Sequence, residues 1–123
     1  MWLSGFTYRK KINITPETGA GTNYQLKFLI GKTSDASGED FDLNGHCLDT
    51  FADLRFTDDD GTTELKYWIE EVVDSGTSKL ATVWVKVADD LSSGTPYIYC
   101  YYGKADATTT SSGDDTFILF DDF

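Results

Sequence analysis

The chain is predicted to fold as an all-β domain, an antiparallel β-sandwich of jelly-roll type, and three observations predict this. Short runs with alternating apolar and polar residues recur along the sequence, and successive side chains of a strand face opposite sides of a sheet. Clusters of Gly, Asp, Ser and Thr, which are typical of turns, separate these runs. No window combines a sustained helical period with a capping residue. Short antiparallel strands at this spacing are typical of sandwiches and jelly rolls.

Six runs carry the strand pattern: Phe6–Ile14, Tyr24–Ile30, Asp53–Thr57, Leu65–Val73, Ala81–Val87 and Tyr97–Tyr102. Residues 31–50 have no such pattern, and a loop of this length in a compact domain is usually functional or metal-bound. The 123 residues suit one domain with one core. Within that domain, residues 114–123 are expected to form either the last strand or the link to a following domain.

The charge balance narrows the range of partners. With 10 Lys and Arg residues against 21 Asp and Glu residues, the formal net charge is −11. Such a surface repels phosphate backbones and anionic lipids, which argues against nucleic acid as a partner. It attracts cations, either calcium or the counterions of a salty habitat. No stretch is long and apolar enough to span a bilayer, so we expect no membrane insertion.

Two tryptophans occupy positions that the strand pattern assigns to a polar face. Trp68 alternates with Tyr67 and Ile69, whereas Trp84 alternates with Val83 and Val85. Large rings on the polar side of a strand indicate a surface that is built to be covered. A sugar ring, a neighbouring domain or a loop of the same chain can provide that cover.

Several polar side chains share the parity of the two tryptophans. Lys66 and Glu70 do so within one run, and Arg55 does so in an earlier run. If the three strands belong to one sheet, these residues form an aromatic and charged platform with Trp68 and Trp84. Sugars stack their CH faces on aromatic rings and pair their hydroxyls with such polar groups. The alternative is that the rings pack under a loop or under another domain.

Calcium is the expected cofactor, because acidic turns supply the hard oxygen ligands that it prefers. The candidate ligands are Asp58 and Asp60 in the turn Asp58-Asp59-Asp60-Gly61, and the loop Asp35–Asp49 holds further carboxylates. The spacing of an EF-hand is not present. A plain hairpin turn explains the same four residues without a metal.

Nothing in the sequence marks a catalytic centre, and we predict that the domain is not an enzyme. Glu70 and Glu71 are neighbours in one strand, so they are expected on opposite faces and cannot act as a pair. The single histidine, His46, lies beside a glycine in a loop and is expected to make a structural or solvent contact.

Cys47 lies in the long loop, and Cys100 lies in the last strand run. Neither has a second cysteine or a histidine at the spacing of zinc ligands. A disulfide between them is one expectation, and two separately buried free thiols are the other.

Several strings resemble one known family. They are WLSGFTYRKKINI, TNYQLKFLI, DLRFTDDDG, TVWVKV and YIYCYYGKADATTTSSGDDTFILFDDF, and together they resemble the domain of unknown function 2341 family over essentially the whole chain. The resemblance implies a secreted or surface protein of archaea or bacteria, in which this domain often precedes a concanavalin A-like domain. It implies no catalytic residues.

From these observations we expect a non-catalytic carbohydrate-binding or adhesion module of a secreted, multidomain protein. Its partners are then a polysaccharide or glycan and the neighbouring domain. The alternative is a structural spacer that docks a concanavalin A-like domain and binds no small ligand. An open surface with exposed rings favours a ligand, whereas a flat patch beside the C terminus favours docking.

Overall fold

The computed structural model describes residues 2–33, 39–75 and 78–116. Within these residues the chain forms seven strands and one single-turn helix. In chain order these are β1 (Tyr8–Asn13), β2 (Tyr24–Gly31), β3 (Phe41–Asp42), β4 (Arg55–Thr57), β5 (Tyr67–Ser75), β6 (Ser78–Val87), β7 (Tyr97–Tyr102) and α1 (Gly113–Thr116). Each of the six runs predicted from alternation overlaps one strand.

The strands form two sheets. The first has four strands in the order β3-β2-β6-β5, and the second has three in the order β1-β7-β4. All pairings are antiparallel except β2 with β3, which is parallel. Strands that follow each other in the sequence therefore lie in different sheets at several points.

A single apolar core fills the space between the sheets. From the four-stranded sheet, Val83, Val85 and Val87 are almost completely buried, and Ile98 and Cys100 of the three-stranded sheet are buried with them. Their even spacing is the period of a strand with one face in the core. The predicted β-sandwich is confirmed, and the jelly-roll type stays a prediction.

The segment predicted as a long loop contains the short strand β3. Ile30 pairs with Phe41, and Asp40 N donates to Leu29 O at 2.7 Å. Leu43, which follows β3, is fully buried. Two residues are too few to show alternation, which explains why the sequence pattern does not reveal this strand.

The end of this segment is fixed by a buried carboxylate. Asp53 is 1% exposed and accepts hydrogen bonds from Leu48 N at 3.0 Å, Gly103 N at 2.8 Å and Lys104 N at 3.4 Å. Gly103 has a φ of 85°, and a Cβ there would lie 2.5 Å from a ring carbon of Tyr8. The residue after β7 must therefore be glycine for the chain to reach Asp53.

Candidate functional site

The two tryptophans lie side by side on the outer face of the four-stranded sheet. Trp68 of β5 is directly opposite Trp84 of β6 in the antiparallel register. Their neighbours Tyr67, Val83 and Val85 point into the core and are buried. Both tryptophans are partly exposed. The prediction that they share one face with partly exposed rings is confirmed.

Opposite charges flank the indole of Trp84. Its Nε1–H donates to Glu70 Oε1 at 2.6 Å. On the other side, Lys27 of β2 pairs with Trp84, and its Nζ lies 5.8 Å from the ring centroid. The hydrogen bond to a carboxylate fixes the orientation of the ring in a way that an apolar contact alone does not. Together with Lys66, which is exposed just before β5, these residues form what we call the tryptophan face: Lys27, Lys66, Trp68, Glu70 and Trp84.

A β-bulge corrects the prediction for the two glutamates. The register passes from Ile69 opposite Val83 to Glu71 opposite Thr82, so Glu70 is an extra residue in β5. Thr82 is on the same side of β6 as Trp84. Glu71 therefore faces the tryptophan side, as Glu70 does, and the two are not on opposite faces. Both are exposed.

The prediction that Arg55 belongs to the same platform is wrong. Arg55 begins β4, which pairs with β7 in the other sheet. Its guanidinium donates to Ala52 O at 3.0 Å, to Leu54 O at 2.7 Å and to Thr108 O at 2.5 Å. Arg55 therefore ties the segment after β7 to the sandwich.

That segment continues along the open edge of β5. Ser111 Oγ accepts from Ile69 N at 2.7 Å, and Ser112 N donates to the carbonyl oxygen of Tyr67 at 2.8 Å. Then α1 begins, and Thr116 O accepts from Gln25 Nε2 at 3.2 Å. Gln25 faces the same side of its sheet as Lys27, so the chain reaches the margin of the tryptophan face. Of the predicted C-terminal strand or link, residues 114–116 belong to α1 and residues 117–123 lie outside the described residues.

The acidic turn gathers carboxylates differently from the prediction. Asp60 accepts from the backbone N–H groups of Thr62 and Thr63, so it closes the turn. Among the described residues, the carboxylates of Asp58, Asp59 and Asp89 each offer an oxygen within 4.8 Å of the others. Burial and the neighbouring Asp58 raise the pKa of Asp89 to about 6.

Three carboxylates at this separation fit a divalent cation, because calcium takes several oxygen ligands from mobile acidic side chains. Burial and the adjacent Asp58 disfavour the charged form of Asp89, and a cation bound between these carboxylates would favour it. The sequence did not indicate Asp89 as a ligand, since Asp89 follows β6 and lies far along the chain from the turn. Of the predicted loop Asp35–Asp49, residues 34–38 lie outside the described residues.

A pocket near β1 brings His46, Cys47 and Asp53 together, which are residue types found in nucleophilic sites. The ring of His46 stacks on Tyr8, with centroids 4.2 Å apart. Burial and the nearby Asp53 raise the pKa of the Cys47 thiol to about 12. A thiol of that pKa is protonated at neutral pH and is a poor nucleophile. The contact that the structure shows for His46 is the stack on Tyr8, which is a structural contact of the predicted kind.

Both cysteines are free and buried thiols. The expected Cys47–Cys100 disulfide is not formed in this structure. Cys100 is fully buried in the core, and this burial raises the pKa of its thiol. Packing and the hydrogen bonds of Asp53 hold the long loop instead.

Residues 50–123 match a family model whose description is "Domain of unknown function (DUF2341)". The chain belongs to this family. The DUF2341 match spans β4 to α1 and thus includes Trp68, Trp84 and the Asp58–Asp60 turn, whereas the resembling strings in β1 and β2 lie before it. Neither a curated protein nor a solved structure matches this DUF2341 chain. Within the described residues, no helix has the length and hydropathy needed to cross a membrane.

Proposed function

We propose that the domain is a non-catalytic carbohydrate-binding or adhesion module and that the tryptophan face binds the sugar. The observation that carries this proposal is the direct pairing of Trp68 with Trp84 on an outer face. Directly opposite residues of antiparallel strands have Cβ atoms about 5 Å apart. Two adjacent indoles give an apolar area on which the CH faces of a sugar can stack.

The polar side chains around the rings support the same function. Glu70 accepts from the Trp84 indole and has a second carboxylate oxygen, and Lys66 is exposed beside it. Carboxylates accept hydrogen bonds from sugar hydroxyls, and ammonium groups donate to them. An apolar centre with a few polar groups at its edge is typical of small-ligand sites.

A glycan array probed with the wild-type domain, Trp68→Ala and Trp84→Ala tests this proposal. We expect glycans that bind the wild type and lose binding to both variants. Tyr24→Ala is the matched control, because Tyr24 is 46% exposed at the start of β2 and lies outside the tryptophan face. Equal binding by wild type and both tryptophan variants would show that the sugar binds elsewhere.

We also propose that the parent protein is secreted or displayed on the cell surface. The support for this location is the family resemblance. An antibody against this domain should label intact, unpermeabilised cells or detect the protein in the medium. Detection only after lysis would contradict this location.

The path of the C-terminal segment favours a second candidate, a spacer that docks the following domain. Thr116 is fully buried and contacts Gln25 at the margin of the tryptophan face. The last described residue of the chain therefore lies at this margin, where a following domain can be attached. If docking is the function, a protein that includes the following domain shows protection of both indoles from solvent quenchers, and no glycan binds the isolated domain.

We expect no turnover of any polysaccharide. Glu70 contacts the Trp84 indole, and both Glu70 and Glu71 are exposed, whereas the general acid of a glycoside hydrolase usually lies in an apolar, water-excluded site. Reducing-end assays with the purified domain should match the buffer blank. Turnover by the wild type that Glu70→Gln abolishes would contradict the non-catalytic function.

We propose that calcium binds at Asp58, Asp59 and Asp89. A cation that binds only the folded state stabilises it by mass action, so the melting temperature should be higher in calcium than in chelator. Asp89→Asn should remove most of this difference, whereas Asp106→Asn, an exposed control in a separate turn, should keep it. Identical melting temperatures of the wild type in calcium and in chelator would refute the site.

A further inference from the structure

The outer face of the three-stranded sheet carries a second group of aromatic rings. In β7, Ile98, Cys100 and Tyr102 point into the core, so the intervening tyrosines point outward. Tyr97 and Tyr99 are partly exposed, and their ring centroids are 5.7 Å apart at an interplanar angle of 83°. These two phenols therefore stand next to each other at the surface.

The third outward tyrosine, Tyr101, is fully buried. The residues before β1 cover it, because the rings of Trp2 and Phe6 meet it edge-on with centroid distances of 5.5 and 6.0 Å. Trp2 itself is 47% exposed, and its indole N–H donates to Phe6 O at 3.0 Å. The aromatic surface thus extends from the phenols of β7 to a fixed and exposed indole.

Two cations are held on these rings. Arg9 has its Cζ 4.0 Å from the Tyr99 centroid and 4.4 Å from the Trp2 centroid, so its guanidinium lies close to both rings. Lys11, which is exposed, has its Nζ 4.1 Å from the Tyr97 centroid. Cation–π contacts of this length restrain long side chains that otherwise sample many rotamers.

The local charge is opposite to that of the whole chain. Strands β1, β4 and β7 (YRKKIN, RFT and YIYCYY) contain no Asp or Glu, although the chain carries a net charge of −11. A cationic strip on an acidic protein attracts a negatively charged ligand and leaves the rest of the surface repulsive.

A ligand with widely spaced charges fits this surface better than one with densely packed charges. The acidic turn borders the strip, because Thr57 pairs with Tyr99 and the turn begins at the next residue, Asp58. Duplex DNA places about one charge on every 1.7 Å of its axis and would meet this turn. A polyuronate has one carboxylate per sugar ring, and its sugars offer CH faces and hydroxyls to the aromatic residues.

We propose that this surface, the tyrosine face, binds an acidic polysaccharide of the uronate class; its residues are Trp2, Arg9, Lys11, Tyr97 and Tyr99. Uronate carboxylates pair with the charges of Arg9 and Lys11. Sugar CH faces pack on the exposed indole of Trp2, and the phenol groups of Tyr97 and Tyr99 hydrogen-bond to sugar hydroxyls. This site is on the opposite side of the sandwich from the tryptophan face and does not depend on it.

The test is isothermal titration with short oligogalacturonates and with their methyl esters, in chelator so that calcium plays no part. We expect the acidic form to bind at least about tenfold more tightly than the neutral ester, and high salt to reduce this preference. Lys11→Gln should weaken acidic binding about tenfold, and Lys11→Arg should restore most of it. Lys79→Gln is the control, because it makes the same charge change near the start of β6, in the other sheet. It should bind like wild type.

Three results would overturn the proposal. They are no binding of the acid at low salt, equal affinity for acid and ester, and an equal loss of affinity in Lys11→Gln and Lys79→Gln, which would indicate only a net-charge effect. Because Lys11 is exposed, Lys11→Gln should keep the wild-type melting temperature. If Lys11→Gln lowers the melting temperature, Tyr97→Phe replaces it as the test variant. Tyr97→Phe removes one hydroxyl and keeps the ring, and it should also weaken binding of the acidic oligosaccharide.

Discussion

Asp53→Ala should destabilise the domain by about 3 kcal/mol, because hydrogen bonds to charged groups contribute about 1.5–3 kcal/mol each and are not additive. The carboxylate is buried and accepts from the backbone N–H groups of Leu48, Gly103 and Lys104. Its removal leaves three partly buried donors without their acceptor and frees the long loop from the end of β7. Urea unfolding followed by tryptophan fluorescence measures the change.

Asp53→Asn should cost less than Asp53→Ala, because the amide oxygen still accepts a hydrogen bond although it carries no charge. Asp106→Ala is the matched control, since Asp106 is exposed and a surface substitution usually changes stability by no more than about 0.5 kcal/mol. An Asp53→Ala protein that unfolds at the wild-type urea concentration would show that the loop is held by apolar packing alone.

Trp84→Ala should weaken glycan binding more than any other single substitution on the tryptophan face. Its indole is the ring that the Glu70 hydrogen bond orients, and aromatic residues at the centre of an interface commonly contribute 2 kcal/mol or more. We expect a loss of affinity of about 30-fold, which corresponds to about 2 kcal/mol. Titration calorimetry with a glycan selected on the array gives this value.

Two further variants separate stacking from hydrogen bonding at that site. Glu70→Gln keeps an acceptor for the indole and should retain most of the affinity, whereas Glu70→Ala frees the ring and should lose about 1 kcal/mol, less than Trp84→Ala. An equal loss of affinity in the two Glu70 variants would mean that the negative charge, and not the orientation of the ring, matters for binding.

The sequence pattern correctly predicted the face on which a side chain lies wherever that face depends only on strand parity. Trp68 and Trp84 are outward because Tyr67, Val83 and Val85 are inward, and this follows from alternation alone. The same rule failed at Glu71, because a bulge adds one residue and reverses the parity beyond it. No residue type in that run marks a bulge, since Glu70 is neither glycine nor proline.

Features that depend on the pairing of strands or on contacts between distant segments could not be predicted from the sequence. Arg55 has the expected parity, but its strand belongs to the other sheet, and the order of strands across two sheets is not encoded in the period of any one strand. Asp89 joins the acidic turn only because the chain after β6 returns to it. The tyrosine face likewise depends on the pairing of β1 with β7, although the run of four aromatic residues around Cys100 was visible in the sequence.

The side-chain signals of the three tryptophans provide the most direct test of the central claim, that the tryptophan face is the glycan-binding surface. Trp68 and Trp84 lie on that face, and Trp2 lies on the tyrosine face, so their indole N–H resonances report on the two surfaces separately. On titration of the ¹⁵N-labelled domain with neutral oligosaccharides chosen on the array, we expect the Trp68 and Trp84 signals to shift with saturation while the Trp2 signal stays in place. Saturable binding that shifts only Trp2, or that shifts none of the three signals, would contradict the account.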